Sequence, residues 1–405
     1  MITVEDAIEI VLSNSKIIDI EDCPIRDTLG RILASSILAP HDQPPWDNSA
    51  MDGYAVRWED IQAGSEHNPV TLRKIEVIPA GQAPRFPLNK GECSKIMTGA
   101  RIPTGADTVV PVEVTNQIGE EILILKTGSK NDHIRLKGED VQKGKTVLKK
   151  GKRIRPSEIS MLASLGILRV PVFKKPIIAV LSTGNELTEL NEKRSENKIF
   201  NSNGYALCAL AEECGGFPLD LGIAQDSKDA LLKKLQEGES ADILVVSGGV
   251  SMGDFDYVRE VLGAYGKIKF WRTAMRPGSP VAFGEYNGKP FFGLPGNPVS
   301  CMVTFKLFVE PLVKKMGGAS LFRSEAFPAI LDQEIHKKKG LRSFLRGVIF
   351  NDRQEIKVKL TGEQGSHLIH SMVEANCLID VPEELEHVEE GKKIMVIPLD
   401  SDFSH

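Results

Sequence analysis

The sequence predicts a multidomain protein of the α/β plus β class: a doubly wound α/β domain set between β-rich domains. Three observations lead there. From residue 175 to about 315, short apolar runs alternate with helical stretches, the pattern of a parallel sheet with crossover helices. Between residues 70 and 125, and again after Gly317, the runs are short and largely alternating, punctuated by turn residues in the first segment. The length of 405 residues suggests two to four domains at roughly 150 residues each.

Taken in order, the N-terminus reads MITVEDAIEIVLSN, where Val4, Ala7, Ile8, Val11 and Leu12 recur at helical spacing and no basic leader precedes them. An amphipathic helix is expected there. Residues 28–37 suggest a second short helical or extended piece, and Pro40, Pro44 and Pro45 mark a boundary. WDNSAMDGYAVR, residues 46–57, places a turn signal, Asp52-Gly53, before a strand-like Tyr54-Ala55-Val56. Asp47, Asn48, Ser49 and Asp52 supply more polar groups than a turn requires. The runs VTLRKIEVIPAG, CSKIMTG, DTVVPVEV and EILILKTG then predict a small β-rich domain. Thr98 closes one of these runs, where a strand-end hydroxyl is the commoner use of a threonine than a ligand contact. A helix is expected from 156 to 165, with Pro156 at its start and Gly166 past its end. These elements are expected to return beside the N-terminal helix, making a discontinuous first domain.

The α/β region opens with PIIAVLSTGNE, a strand and loop, and a helix over 202–213. A strand over 218–226 and a helix over 227–236 follow. ILVVSGGVSMGDFDY, residues 243–257, couples a buried strand to a glycine-rich loop and a helix over about 256–264. Strand-like segments at 268–273, 281–284 and 290–294 precede a last helix from Pro298 to about Lys315.

In a parallel sheet the carboxyl ends of the strands share one edge, where open α/β sheets place ligands. That edge gathers Ser182, Thr183, Gly184 and Glu186, then Asp226, then Ser247, Gly248, Gly249, Ser251, Asp254 and Asp256. Arg276, Ser279 and the turn Pro295-Gly296-Asn297-Pro298 complete it. Four carboxylates on one rim are costly unless a cation compensates them, and Mg2+ prefers such oxygen donors. The helix opened by Pro298 offers free N–H groups that could hold a tetrahedral oxyanion beside Arg276. A strand-to-helix turn capped by Asp254 and a helix-starting proline are the plain structural alternatives.

Acidic and basic residues, 55 and 50, are interspersed at a net charge of −5, so nucleic-acid binding is not expected. No run of 18 apolar residues suggests a membrane span. The six cysteines show no Cys-x-x-Cys pair, which fits a reducing cytoplasm. FLRGVIF, EIKVKL, NCLIDV and KKIMVIPL predict a compact C-terminal β-barrel or sandwich. His367 and His370 have a metal-like spacing but lack acidic or cysteine partners in their segment.

The strings PPWDNSAMDGYAVR, IMTGA, LSTGNEL, SGGVSMGDFDY, MRPGSPVAFG, GLPGNPVS and GEQGSH, running from residue 44 to 367, resemble in order and spacing the molybdopterin molybdenumtransferases of the MoeA and gephyrin E-domain type. The resemblance implies four domains: a discontinuous elongated domain (1–43 and 140–173), a small β-rich domain (44–139), a molybdopterin-binding α/β domain (174–320) and a C-terminal β-barrel (321–405). It implies a homodimer whose active cleft pairs the α/β domain of one subunit with the small domain of the other. The implied reaction consumes adenylylated molybdopterin and molybdate, releases AMP and uses Mg2+. The upstream adenylyltransferase and acceptor molybdoenzymes are the implied partners.

By the same resemblance, Asp52, Thr98, Glu186, Asp226 and Asp256 occupy activity-linked positions, with Glu186, Asp226 and Asp256 the candidate Mg2+ ligands. Ser182, Thr183, Gly184, Ser247, Gly248, Gly249, Ser251, Arg276, Ser279, Pro295, Asn297 and Pro298 are the candidate pterin and oxyanion contacts. Asp140 and Ser366 match recurrent polar positions. The chain departs from relatives at Ser279, where some carry Lys or Arg, at Lys137, where some carry Arg, and at Asp254, where Glu is frequent. A pterin-binding scaffold of the same fold with weak turnover is the competing reading. A nucleotide-dependent phosphotransferase lacks its phosphate loop. Molybdate and tungstate, tetrahedral dianions of nearly equal size, both satisfy the reading.

Overall fold

The computed structural model describes residues 1–250 and 257–399. The chain forms two compact units: residues 35–150 with 157–168, and residues 1–34 with 151–156 and 169–405.

The first of these units is built on a six-stranded sheet in the order Thr108–Pro111, Gly53–Val56, Glu92–Ile96, Val70–Ile78, Glu121–Ile124, Thr115–Ile118. Only Val70–Ile78 and Glu92–Ile96 run parallel. Alternation sends Tyr54, Val56, Leu72 and Cys93 to one buried cluster and Ala55, Ile78, Ile96 and Val109 to another. The edge strand Thr115–Ile118 has no sequence signal, because TNQI is largely exposed.

In the second unit, helix α1 (Val4–Ser13) is capped by Thr3, whose Oγ1 accepts from Asp6 N at 3.1 Å. Residues 28–37 form no further helix; Ile32 and Leu33 bridge to Arg153 and Val172 instead. The central sheet comprises β1 (Ile177–Thr183), β2 (Phe217–Ala224), β3 (Ile243–Ser247), β4 (Gly266–Phe270), β5 (Ala282–Tyr286) and β6 (Lys289–Leu294), in the order β2-β1-β3-β6-β5-β4. Helices α2 (Ser202–Glu213), α3 (Lys228–Glu237), α4 (Tyr257–Tyr265) and α5 (Pro298–Thr304) accompany it. The α5 helix runs on through a π-helical stretch, Phe305–Val309, into α6 (Glu310–Met316).

The sheet is covered on both faces. Ile178 and Val180 of β1 pack with residues of α1, α2, α5 and α6, while Ala179 and Leu181 pack with α3 and α4. This double burial is why β1 and β3 read as continuous apolar runs. The sheet is mixed rather than wholly parallel: β2, β1, β3 and β6 are parallel, but β5 pairs antiparallel with both β6 and β4. The cause lies in Asn287-Gly288, with φ of 49° and 76°, which closes a two-residue hairpin that no crossover helix could replace.

After residue 317 the chain forms β7 (Phe327–Leu331), β8 (Arg342–Asp352), β9 (Glu355–Leu360), β10 (Cys377–Val381) and β11 (Lys393–Pro398). Pairing runs β8-β9-β7-β11-β10 and back to β8, a closed five-stranded barrel. Closure removes the sheet edges.

Candidate active site

The order β2-β1-β3 means that the chain leaves β1 outward to β2 and then crosses to the other side, opening a crevice beyond the ends of β1 and β3. Ser182 of β1 pairs in register with Ser247 of β3, and Ser247 with Leu294 of β6. Gly248 N donates to Leu294 O at 2.9 Å, and Thr183 Oγ1 donates to Ser247 O at 3.4 Å. Gly248 has φ +91°, and an added Cβ would lie 2.6 Å from Thr183 O, so the strand ends approach this closely only because the residue is glycine. Ser182 Oγ is buried and has no hydrogen-bond partner among the described residues. A buried unpaired hydroxyl at a crevice calls for an external polar group.

Asn203, in the first turn of α2, was not among the residues expected from the sequence. Its Nδ2 donates to Ser247 Oγ at 2.9 Å and Gly296 O at 2.8 Å, tying the end of β3 to the turn after β6. Asn201 is the helix cap, accepting from Gly204 N at 3.1 Å, which frees Asn203 for this use. The clue was the second asparagine of NSNG.

The acidic side of the rim is held by a second asparagine outside the expected set. Asn185 N donates to Asp226 Oδ2 at 3.0 Å, and Asp226 N donates to Asn185 Oδ1 at 3.1 Å. This reciprocal pair fixes the loop after β1 against the loop after β2. Glu186 folds back over Gly184, where an added Cβ would fall 2.6 Å from its Oε2. Neither Glu186 nor Asp226 has a basic partner among the described residues. A cleft of about 520 Å3 adjoins this loop, lined in part by Gly184, Asn185, Glu189, Lys198 and Asp220. Ser251, Asp254 and Asp256 lie outside the described residues.

At the far side, Pro295 is buried and Gly296 and Asn297 are exposed. Asn297 caps α5 without a side-chain bond to the helix and donates from Nδ2 to Ser366 Oγ at 3.1 Å. Val299 N donates to Ser366 O at 3.2 Å, and Pro298 has no N–H, so much of the first turn's donor capacity is already used. Ser366 thus joins the GEQGSH loop to the turn, and Arg346 secures that loop by donating from Nη2 to Gly365 O at 3.0 Å. Arg276 is exposed. Ser279 Oγ donates to Thr273 O at 2.9 Å, a bond internal to its own turn.

The other unit carries Asp52 and Thr98. Asp52 Oδ1 accepts from Thr98 N and from Thr98 Oγ1, both at 2.7 Å. The backbone bond first, and the hydroxyl second, hold the Asp52 carboxyl below its usual range. Much of the polar crowding of WDNSAMDG is structural: Asp47 Oδ1 accepts from Lys137 N at 2.7 Å, and Ser49 Oγ donates to Met51 O at 2.6 Å. Asn48 Oδ1 is buried with no partner among the described residues. Lys137 Nζ lies 3.4 Å from Asp42 Oδ2, and Asp140 contributes its backbone N–H to Gln43 O.

Three family profiles match along the chain: the MoeA N-terminal region (domain I and II) over residues 2–166, a probable molybdopterin binding domain over 179–315, and the MoeA C-terminal region (domain IV) over 328–399. A molybdopterin molybdenumtransferase of Staphylococcus aureus strain COL is 36% identical over 99% of this chain and 96% of its own length. The chain belongs to the molybdopterin molybdenumtransferase family. A second member, from Haemophilus influenzae, is 36% identical over 94% of the chain and 93% of its own length. Crystal structures of MoeA molybdopterin biosynthesis proteins from Pyrococcus horikoshii superpose with a TM-score of 0.85 at 35% and 31% identity, covering 99% and 98% of this chain and 100% of theirs. The chain is accordingly a transferase of molybdenum cofactor biosynthesis, and its doubly wound α/β domain and C-terminal barrel are those of the family.

Proposed function

We propose that the protein inserts molybdenum from molybdate into adenylylated molybdopterin with release of AMP, assisted by Mg2+. The carrying observation is the rim of β1 and β2, where the Asn185–Asp226 pair presents Asp226 and Glu186 without a basic partner among the described residues. An all-oxygen acidic donor set suits a hard divalent cation rather than zinc. Glu186 and Asp226, with Asp256, would hold Mg2+, which supplies charge neutralisation at the adenylate phosphate. Ser182 Oγ, Ser247, Gly248 and Gly249 at the crevice, with Thr183 and Gly184, would bind the pterin and its phosphate. Ser251, Arg276, Ser279, Pro295, Asn297 and Pro298 complete the proposed contacts, with Asn203 and Ser366 positioning the strand ends.

The reading includes a homodimer whose cleft is completed by the small domain of a second subunit; Asp52 and Thr98 lie in a compact unit separate from that of Glu186 and Asp226. The four-domain division at residues 43, 139, 173 and 320 is part of the same reading. The cysteines of the chain are free thiols, in keeping with a reducing cytoplasm. The adenylyltransferase that makes the substrate and the molybdoenzymes that accept the product are the proposed partners.

The test is AMP release from adenylylated molybdopterin, measured with molybdate and Mg2+ together and with each omitted. Release is expected only with both, and Glu186→Ala lowers it on the order of 10²-fold or more. Pterin binding without AMP release would leave a scaffold instead.

A further inference from the structure

Two short strands, Ile335–His336 and His387–Val388, form an antiparallel ribbon in which His336 lies opposite His387. Ile335 and Val388 turn inward and join the barrel's buried cluster, so the ribbon is anchored and strand alternation sends both histidines outward. Their rings stack at a centroid distance of 4.3 Å with planes 5° apart. Both Nε2 atoms approach the same oxygen, Glu334 Oε2, at 3.3 Å from His336 and 3.1 Å from His387. Lys337, next along the strand, donates its ammonium to Leu341 O at 2.9 Å instead.

We propose that Glu334, His336 and His387 form a binding site for a borderline divalent metal ion, with Zn2+ its leading occupant. Bonds of about 2.0–2.1 Å in tetrahedral array put neighbouring ligand atoms about 3.3 Å apart. The two histidine-to-carboxylate distances already match that edge. The ligand atoms of all three residues lie within 4.8 Å of one another, and no other such group occurs among the described residues. His370, one of the histidines with suggestive sequence spacing, pairs with Glu374 at 3.4 Å outside this group. Two imidazoles and one carboxylate select Zn2+, Co2+, Ni2+ or Cu2+ over Mg2+, so the site differs in metal class from the carboxylate rim. Binding turns the parallel rings so that their Nε2 lone pairs converge, and water fills the remaining position. The ion pins residues 334–336 to residue 387, across the ribbon.

The test uses the full chain freed of metal with a chelator. Zn2+ titrated against a chromogenic competitor is expected to bind one equivalent, and His336→Gln and His387→Gln each weaken it at least about tenfold, since each removes one of three protein ligands. His370→Gln leaves the affinity unchanged, and millimolar Mg2+ does not displace Zn2+. On the unaltered chain, substoichiometric Ni2+ broadens the ring resonances of His336 and His387 before those of the other histidines. Equal Zn2+ affinity in the His336→Gln and His387→Gln chains, or uniform broadening of all histidines, overturns the site.

Discussion

At the scale of single residues, the Asp52–Thr98 contact makes a sharp prediction. The carboxylate accepts two hydrogen bonds on one oxygen and its pKa is lowered from 3.8 for that reason. Because the folded pKa is depressed, the contact contributes stability that is full above the unfolded value. That contribution is lost as pH falls below 3.8 through the folded pKa. Thr98→Ala removes the hydroxyl bond but not the backbone one, so the Asp52 carboxyl should titrate closer to its ordinary range in a carbon-detected NMR titration. Asp52→Asn keeps the shape and removes the charge, and AMP release should fall on the order of 10²-fold if the carboxylate acts as a positioned acid or base. Asp52, Glu186 and Asp226 could be nominated from the sequence because an ionisable group beside a turn is visible in a one-dimensional string. Asn185 and Asn203 were not. Their importance comes from strand order, which brings residue 185 to residue 226 and residue 203 to residues 247 and 296.

At the scale of elements, two glycines of the α/β region predict opposite outcomes for one substitution. Gly248 ends β3 with φ +91° and Thr183 O 2.6 Å from where a Cβ would stand. Gly248→Ala should destabilise the protein by about 2 kcal/mol or more, read as a lower thermal midpoint, because left-handed backbone and a backbone clash act together. Gly263 lies within α4, and a Cβ there meets nothing within 4 Å. Gly263→Ala should raise the midpoint, by about 0.5–1 kcal/mol in stability, through a less flexible unfolded chain. Buried strands and helix bounds were legible at this scale: α2 begins and ends at 202 and 213, as its sequence pattern places it. The antiparallel β5–β6 hairpin was the main departure. Val281 to Leu294 is largely apolar apart from Glu285, Lys289 and the turn, so strand direction was encoded only by Asn287-Gly288 and the short connection. The edge strand Thr115–Ile118 was hidden for the opposite reason, since a mostly exposed strand needs little apolar pattern.

At the scale of the whole molecule, the groups proposed for catalysis divide between two compact units: Asp52 and Thr98 in one, Glu186 and Asp226 in the other. A cleft completed by a second subunit makes a quantitative demand on mixed dimers. Asp52→Ala and Glu186→Ala chains, each inactive alone, should regain activity when mixed at equal amounts and allowed to exchange. In a mixed dimer one cleft collects both lesions and the other collects neither. Random association makes half the dimers mixed, so recovery should approach about a quarter of the unaltered activity. A cleft built within one subunit would give every cleft one lesion, and mixing would restore nothing. The assay therefore separates the two arrangements as long as each substitution alone abolishes most of the activity. Tagging one of the two chains and recovering the untagged one with it checks that mixed dimers have formed, so a lack of recovery counts against the shared cleft and not against exchange.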